Sequence, residues 1–300
     1  MSAATQQTRP ITQMLTAAII AAGLVALMLI VNPVPATEEG KVSIIVSILP
    51  QAEFAEAVGG DHVNVTVMVQ PGREPHTYAP TPSQMMSLER ADLYFEIGAG
   101  LEFELVWMPR FVELNGDMVV VNGSKDVRLM TMDGGGAFDP HIWLSPKNAM
   151  TMVQNLYHGL IKVDPANASD YENNTRSYLQ RLDRLDQNIS AALAPLESRN
   201  LLALHPAWGY FAKDYNLTQT AIEVNGKEPT ALGLAEILDF AEENNISVVF
   251  AEPQFSTRTA ESIAEEIGGA VVIVDDLAKD YIDNLEIVAI KIAEGLSADG

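Results

Sequence analysis

The chain has no cysteine, so disulfides and thiolate metal sites are both excluded and any metal must be held by imidazole or oxygen. Histidine is also scarce, with five in 300 residues. Positive charge is in short supply: 18 Lys+Arg stand against 40 Asp+Glu, a formal net charge of -22. Such a surface repels nucleic-acid phosphates and attracts cations, which removes DNA and RNA as partners. Acidity also serves solvation, and taken alone it locates no site. No Walker A pattern, internal repeat or low-complexity tract occurs, so the chain has no visible means of using ATP.

What is present is enough for two globular units, since 48% of the 300 residues are apolar and each unit can build a core. Ahead of them runs MLTAAIIAAGLVALMLIV, Met14 to Val31, uncharged and flanked by Arg9 before and by Glu38 and Glu39 after. It reads as an export signal. Its length lies between a cleavable signal, for which Val34-Pro35-Ala36 supplies a small-residue exit, and an anchor of about twenty apolar residues. Either reading leaves residues after 37 on the outer face of the cytoplasmic membrane, anchored or released after cleavage. Sequons at Asn64, Asn122, Asn167, Asn173, Asn188, Asn216 and Asn245 exceed the roughly two expected by chance and make a glycoprotein plausible.

From Lys41 onward strand and helix patterns alternate, which predicts an α/β fold of mainly parallel sheet. Val42 to Leu49 is a continuous apolar run. His62 to Gln70 alternates with the period of a strand and stops at Pro71-Gly72. Thr81-Pro82-Ser83-Gln84 has the form of a capping box with proline at the first helical position, so a helix starts at Pro82. Leu93 to Ile97 and Met118 to Val121 are further strands, with a helix over Glu102 to Leu114 between them. Asp164-Pro165 opens the longest helix, running to about Leu193, too long for a crossover within one lobe. After Pro195 the alternation resumes. Strands are predicted over Leu201 to Leu204, Thr218 to Ile222, Ile246 to Ala251 and Ala270 to Val274, and helices over Thr230 to Glu243, Thr257 to Ile267 and Asn284 to Leu296. The division is 1–40 signal or anchor with linker, 41–164 first lobe, 165–196 rigid linking helix, and 197–300 second lobe.

Three histidines, His76 in PGREPHTY, His141 in DPHIW and His205 in LALHPAW, lie in loops after predicted strands or beside prolines. His62 and His158, at a strand start and on a helix, read as boundary or surface residues. Any one loop histidine alone reads as structural too, but ligands in open α/β sheets bind beyond the carboxyl ends of strands, and His76, His205 and Asp275 all fall there. Two of the candidates precede the long helix and two follow it, which puts a bound ion between the lobes. Three imidazoles and one carboxylate suit four-coordinate zinc.

The segments PGREPHTYAPTPSQMMSLERADLYFEIGAGLE, DPHIWLSP, LHPAWGYFAKDYNL, FAEPQFS and VVIVDDLAKDYI resemble, in this order, the zinc- and manganese-specific solute-binding proteins of ABC importers. The resemblance spans Lys41 to Leu296. It implies two α/β lobes bridged by a rigid helix, with capture of the metal in the cleft and delivery to a membrane permease driven by a separate ATPase. It also implies a monomer. Matched motif by motif, the ligands fall on His76, His141, His205 and Asp275. The histidine at the third position implies Zn²⁺ over Mn²⁺, since manganese-type members tend to carry glutamate there.

Two departures from the family stand out. Met130 to Phe138, MTMDGGGAF, has no histidine where many zinc-type members have a histidine-rich loop. Asp275-Asp276 replaces the common Asp-Pro, which leaves Asp275, Asp276 and Glu252 as candidates for the carboxylate, Asp275 being the position that matches. Tyr78, Trp143, Trp208 and Tyr210 near the ligands read first as packing residues. Catalysis is not expected, because no HExxH pattern occurs and a carboxylate as fourth ligand closes the position an enzyme keeps open. The alternatives are a manganese- or iron-type receptor of the same family and a cell-surface adhesin with a structural metal.

Overall fold

The computed structural model describes residues 40–132, 136–223 and 226–298. The apolar segment at 14–31 and its signal or anchor reading lie outside the described residues. Among those that are described, no helix is long and apolar enough to cross a membrane.

The first lobe is built on a four-stranded parallel sheet of β1 (Val42–Val46), β2 (Val63–Val67), β3 (Leu93–Glu96) and β4 (Val119–Asn122), in the order β2-β1-β3-β4. Its crossovers use α1 (Leu49–Gly59), α2 (Pro82–Leu88) and α3 (Glu102–Leu114). β1 is buried along its whole length, as its unbroken apolar run requires of a central parallel strand. The capping box forms as read: Gln84 N–H donates to Thr81 Oγ1 at 3.4 Å, and Thr81 N–H donates to Gln84 Oε1 at 2.9 Å.

The second lobe repeats the design with β5 (Asn200–Ala203), β6 (Thr218–Ala221), β7 (Val248–Ala251) and β8 (Ala270–Ile273), all parallel, in the order β6-β5-β7-β8. Between the sheets in sequence come α4 (Pro146–Val163) and α5 (Ala168–Leu193), and in the second lobe α6 (Gly209–Asp214), α7 (Ala231–Glu243), α8 (Arg258–Glu266) and α9 (Tyr281–Ala298). The two sheets thus have the same permuted order, each with a switch point beside its first strand, and the loops that open there belong to carboxyl ends.

At 26 residues, α5 is about 39 Å long. It begins three residues later than the Asp164-Pro165 signal suggests, because Asp164 Oδ2 accepts from Asn167 Nδ2 at 2.7 Å and from Tyr171 Oη at 2.6 Å and holds Pro165–Asn167 in a tight turn ahead of it. Its stripe of Tyr171, Tyr178, Leu182, Leu185, Ile189 and Leu193 is buried and packs on α1, α4 and α9. One hydrophobic core therefore runs from β1 and α1 through α5 to β5, α6 and α9. A smaller cluster, with Leu202, Ile222, Ile237, Val249 and Ile263, lies under α7 and α8. Each fully buried leucine or isoleucine of the stripe contributes about 1.5–3 kcal/mol.

Candidate metal centre

His76 is carried by the loop between β2 and α2, His141 by the stretch between β4 and α4, and His205 by the turn after β5. The structure brings these three together: one ligand nitrogen from each lies within 4.8 Å of the others. Ring centroids are 5.1 Å apart for His141 and His205, 5.3 Å for His76 and His205, and 6.1 Å for His76 and His141. His141 and His205 are buried and His76 is partly exposed. His62 pairs with Asp170 at 2.9 Å and His158 rests beside Tyr157, both outside the group.

Each imidazole is gripped on its Nδ1 side by a carboxylate. His76 Nδ1 meets Glu102 Oε2 at 2.6 Å, His141 Nδ1 meets Asp139 Oδ1 at 2.8 Å, and His205 Nδ1 meets Glu223 Oε2 at 3.2 Å. Carboxylates accept, so each Nδ1 carries the proton and each Nε2 presents its lone pair. The Nε2 atoms of His141 and His205 lie 3.2 Å apart. Two nitrogens on one tetrahedral zinc at 2.0–2.1 Å are separated by about 3.3 Å, so this pair already has the spacing of one edge of a zinc site.

Local structure explains these pairings. Asp139 Oδ1 also accepts from the His141 backbone N–H at 2.9 Å, and Tyr210 Oη donates to the Asp139 carbonyl at 3.0 Å, which fixes the DPH turn from the second lobe. Glu223 N–H donates to Leu204 O at 2.9 Å, continuing the β5–β6 ladder and setting Glu223 beside His205. Glu102 stands in the first turn of α3, and two residues on, the buried Glu104 accepts from Ile97 N–H at 2.6 Å and Gly98 N–H at 2.9 Å, anchoring that turn to the end of β3. Sequence reading had not assigned Glu102, Asp139 or Glu223 to the site. Only Asp139 could have been found, two residues from His141 within the same short motif.

Burial decides the electrostatics. The His205 imidazole is pushed down to about 4, chiefly because burial penalises its charged form, with His141 and His76 adding to the effect and Glu223 opposing it. His205 is therefore neutral across the physiological range. At His76 burial also works downward, but the hydrogen bond and charge of Glu102, with Glu74 and Asp276, outweigh it and raise the pKa. Phe255 stacks on His205 with centroids 4.6 Å apart, and Trp143 lies 5.2 Å from His141, which keeps the lone pairs in a dry setting.

Neither Asp275, the expected fourth ligand, nor its neighbour Asp276 is within the group of three histidines. Asp275 Oδ1 accepts from Gln254 Nε2 at 2.7 Å and from Leu277 N–H at 2.9 Å. Its neighbour Asp276 is 5% exposed, with Oδ1 free of any hydrogen bond among the described residues. Burial raises the Asp276 carboxyl to about 7, opposed by the charges of His141 and His76. Glu252 is fully buried, accepts from Trp208 Nε1 at 2.8 Å, and is raised strongly by burial and by Asp276. A cavity of about 640 Å³ touches Asp139 and Glu223 but none of the three histidines, so it lies beside the centre and is not the metal position.

Residues 44–295 match the family described as ZnuA, zinc-uptake complex component A, periplasmic. The chain belongs to this family. It is 30% identical over 254 residues to the high-affinity zinc uptake system protein ZnuA of Bacillus subtilis, covering 79% of each chain. A crystal structure of ZnuA superposes with a TM-score of 0.83 at 42% identity, covering 85% of this chain and 99% of that one. Against the zinc-binding lipoprotein AdcA of Streptococcus pneumoniae it is 27% identical over 276 residues and spans 54% of that longer protein. Membership of the ZnuA family makes the chain an extracytoplasmic solute-binding protein and not an enzyme, with Zn²⁺ as cargo and an ABC permease and its ATPase as the family's partners.

Proposed function

We infer that the chain captures Zn²⁺ outside the cytoplasmic membrane on His76, His141, His205 and Asp276 and passes it to an ABC permease. What carries the reading is the set of three Nε2 lone pairs, each aimed by a carboxylate on the opposite ring nitrogen. Three imidazoles favour borderline zinc over hard, oxygen-preferring manganese. Asp276 is chosen over Asp275 because its buried Oδ1 has no other partner and its charge couples to His141 and His76, whereas Asp275 is engaged by Gln254 and Leu277. One carboxylate leaves the ion and its direct ligands at +1, and Glu102, Asp139 and Glu223 just outside more than offset that charge, bringing the cluster to a formal -2.

The membrane-side details are part of the same reading. The apolar stretch Met14 to Val31 supports tethering or export, and the chain acts as a monomer. Of the sequons, Asn216 and Asn245 are exposed and sit in left-handed turns at φ 55° and 52°, the places where an attached glycan would displace nothing.

Competitive titration of the metal-stripped chain with Zn²⁺ and Mn²⁺, beside His205→Ala, tests the function. One tight zinc site, weaker manganese and loss of tight binding in the variant are expected. Equal or preferential manganese binding, or an unaffected variant, would overturn the assignment.

A further inference from the structure

Glu53 is on α1, in the first lobe, far from the histidines in sequence and absent from the metal group. Its carboxylate nevertheless joins three parts of the chain. Oε1 accepts from Tyr178 Oη on α5 at 2.8 Å, and Oε2 accepts from the backbone N–H of Tyr281 at 2.5 Å, 228 residues away. The Ile282 N–H adds a weaker stabilising influence on the charge of this carboxylate. Tyr281 and Ile282 are the first two residues of α9, so an acid of the first lobe supplies the acceptor for the open amides at the start of a second-lobe helix. The negative charge also suits the positive end of that helix.

The segment this contact holds is the one that bears the metal carboxylate. Between β8 and α9 lie Asp275 and Asp276, and the segment is tied to the first lobe at further points. Trp143 Nε1 donates to Asp276 O at 2.7 Å, Tyr281 Oη donates to Trp143 O at 2.7 Å, and Lys279 Nζ pairs with Glu56 at 2.8 Å. Trp143 follows His141 by two residues. Through these bonds the backbone of Asp276 is registered against His141 by the first lobe, not by its own sheet alone. Of the ties, Glu53 is the one that caps the helix and also engages α5.

We propose that Glu53 is a positioning residue for zinc capture: by capping α9 from the opposite lobe it sets the 275–281 segment so that Asp276 can reach the ion held by His76, His141 and His205. The proposal rests on Asp276 as fourth ligand, and the test separates the two. Glu53→Ala removes both acceptors, Glu53→Gln keeps one acceptor oxygen and the shape, and Tyr178→Phe removes only the bond to α5 and controls for plain loss of stability.

Full-length chain, purified in detergent and stripped of metal, is loaded with Co²⁺ as a spectroscopic probe and titrated with Zn²⁺ in competition. Wild type, the three variants and Asp276→Asn are compared. Glu53→Ala is expected to lose at least tenfold in zinc affinity and to show the altered visible Co²⁺ bands of Asp276→Asn, with Glu53→Gln recovering most of the affinity. Tyr178→Phe is expected to melt lower with wild-type bands. Wild-type bands and affinity in Glu53→Ala, while Asp276→Asn is altered, would overturn the role of Glu53. Unchanged bands in Asp276→Asn would overturn the ligand reading and the proposal with it.

Discussion

His141 Nε2 and His205 Nε2 lie 3.2 Å apart, although one ring is held by Asp139 ahead of α4 and the other by Glu223 at the edge of the second sheet. Two lone pairs at that distance repel unless a proton or a cation lies between them. With both Nδ1 protons held on the outside by Asp139 and Glu223, a Zn²⁺ bound as proposed would relieve that repulsion.

Proton competition at this centre involves His76. Its pKa is raised, with Glu102 overcoming the effect of burial, whereas His205 is held near 4, so His76 protonates before His205 as pH falls. Zinc affinity is expected to decline as pH drops through and below the usual histidine range near 6.5. Glu102→Gln should lower affinity about 10–100-fold at pH 8 and shift the pH-dependent decline to lower pH, since His76 then protonates less readily. Competition titrations between pH 8 and 5 read both effects, and an unshifted decline would count against the Glu102 pairing.

Asp276 gives the metal-free protein a pH dependence of opposite sense. Its folded pKa, about 7, lies above the ordinary carboxyl value, so the folded state binds more protons and stability is lost as pH rises from about 4 to 7. Glu104, raised by burial to about 7, acts in the same direction. At pH 8 in chelator, Asp276→Asn is expected to be more stable than wild type, with an upper limit on the order of 4 kcal/mol. It should also bind zinc more weakly. Thermal unfolding with and without zinc checks this crossing of effects, and a variant destabilised in both states would refute it.

Gly209 leaves room for Asp139. A Cβ there would fall 2.7 Å from Asp139 Oδ2, and that carboxylate holds His141 through Oδ1. Gly209→Ala should therefore weaken zinc binding by about tenfold, through a residue that touches no metal ligand itself. Isothermal titration alongside a melting curve distinguishes this from general damage to the fold.

Leu182 lies fully buried in the middle of α5. Leu182→Ala is expected to cost about 2–5 kcal/mol. Because the core runs continuously through α5, urea unfolding followed by fluorescence of Trp143 in the first lobe and Trp208 in the second should show one shared transition at lower midpoint. Two separated transitions would show that the lobes unfold independently.

Features governed by neighbours in sequence were legible in advance. The Thr81–Gln84 box and the spacing of Tyr178, Leu182 and Leu185 depend on contacts within a few residues, and the structure has them where the pattern put them; the strand expected over His62 to Gln70 forms over the shorter Val63–Val67, with His62 in the turn before it. His76, His141 and His205 were legible because each sits in a loop after an apolar run or beside proline. Of the carboxylates behind them, Glu102 and Glu223 were not, since they meet their histidines across 26 and 18 residues. Nor does an irregular turn declare which of two adjacent aspartates faces inward. The start of α9 at Tyr281, ahead of the expected Asn284, has the same cause: the acceptor for its first amides is Glu53.

The shared core along α5 bears on how an importer tells a loaded carrier from an empty one. Spreading the lobes widely would expose apolar surface of Tyr178, Leu182 and Leu185, a cost that opposes a large change of outline on taking up cargo. A receptor that measured overall shape would read both forms alike. On the proposed ligand set, the difference left for it to read is a local one, in the loops bearing His76 and Asp276.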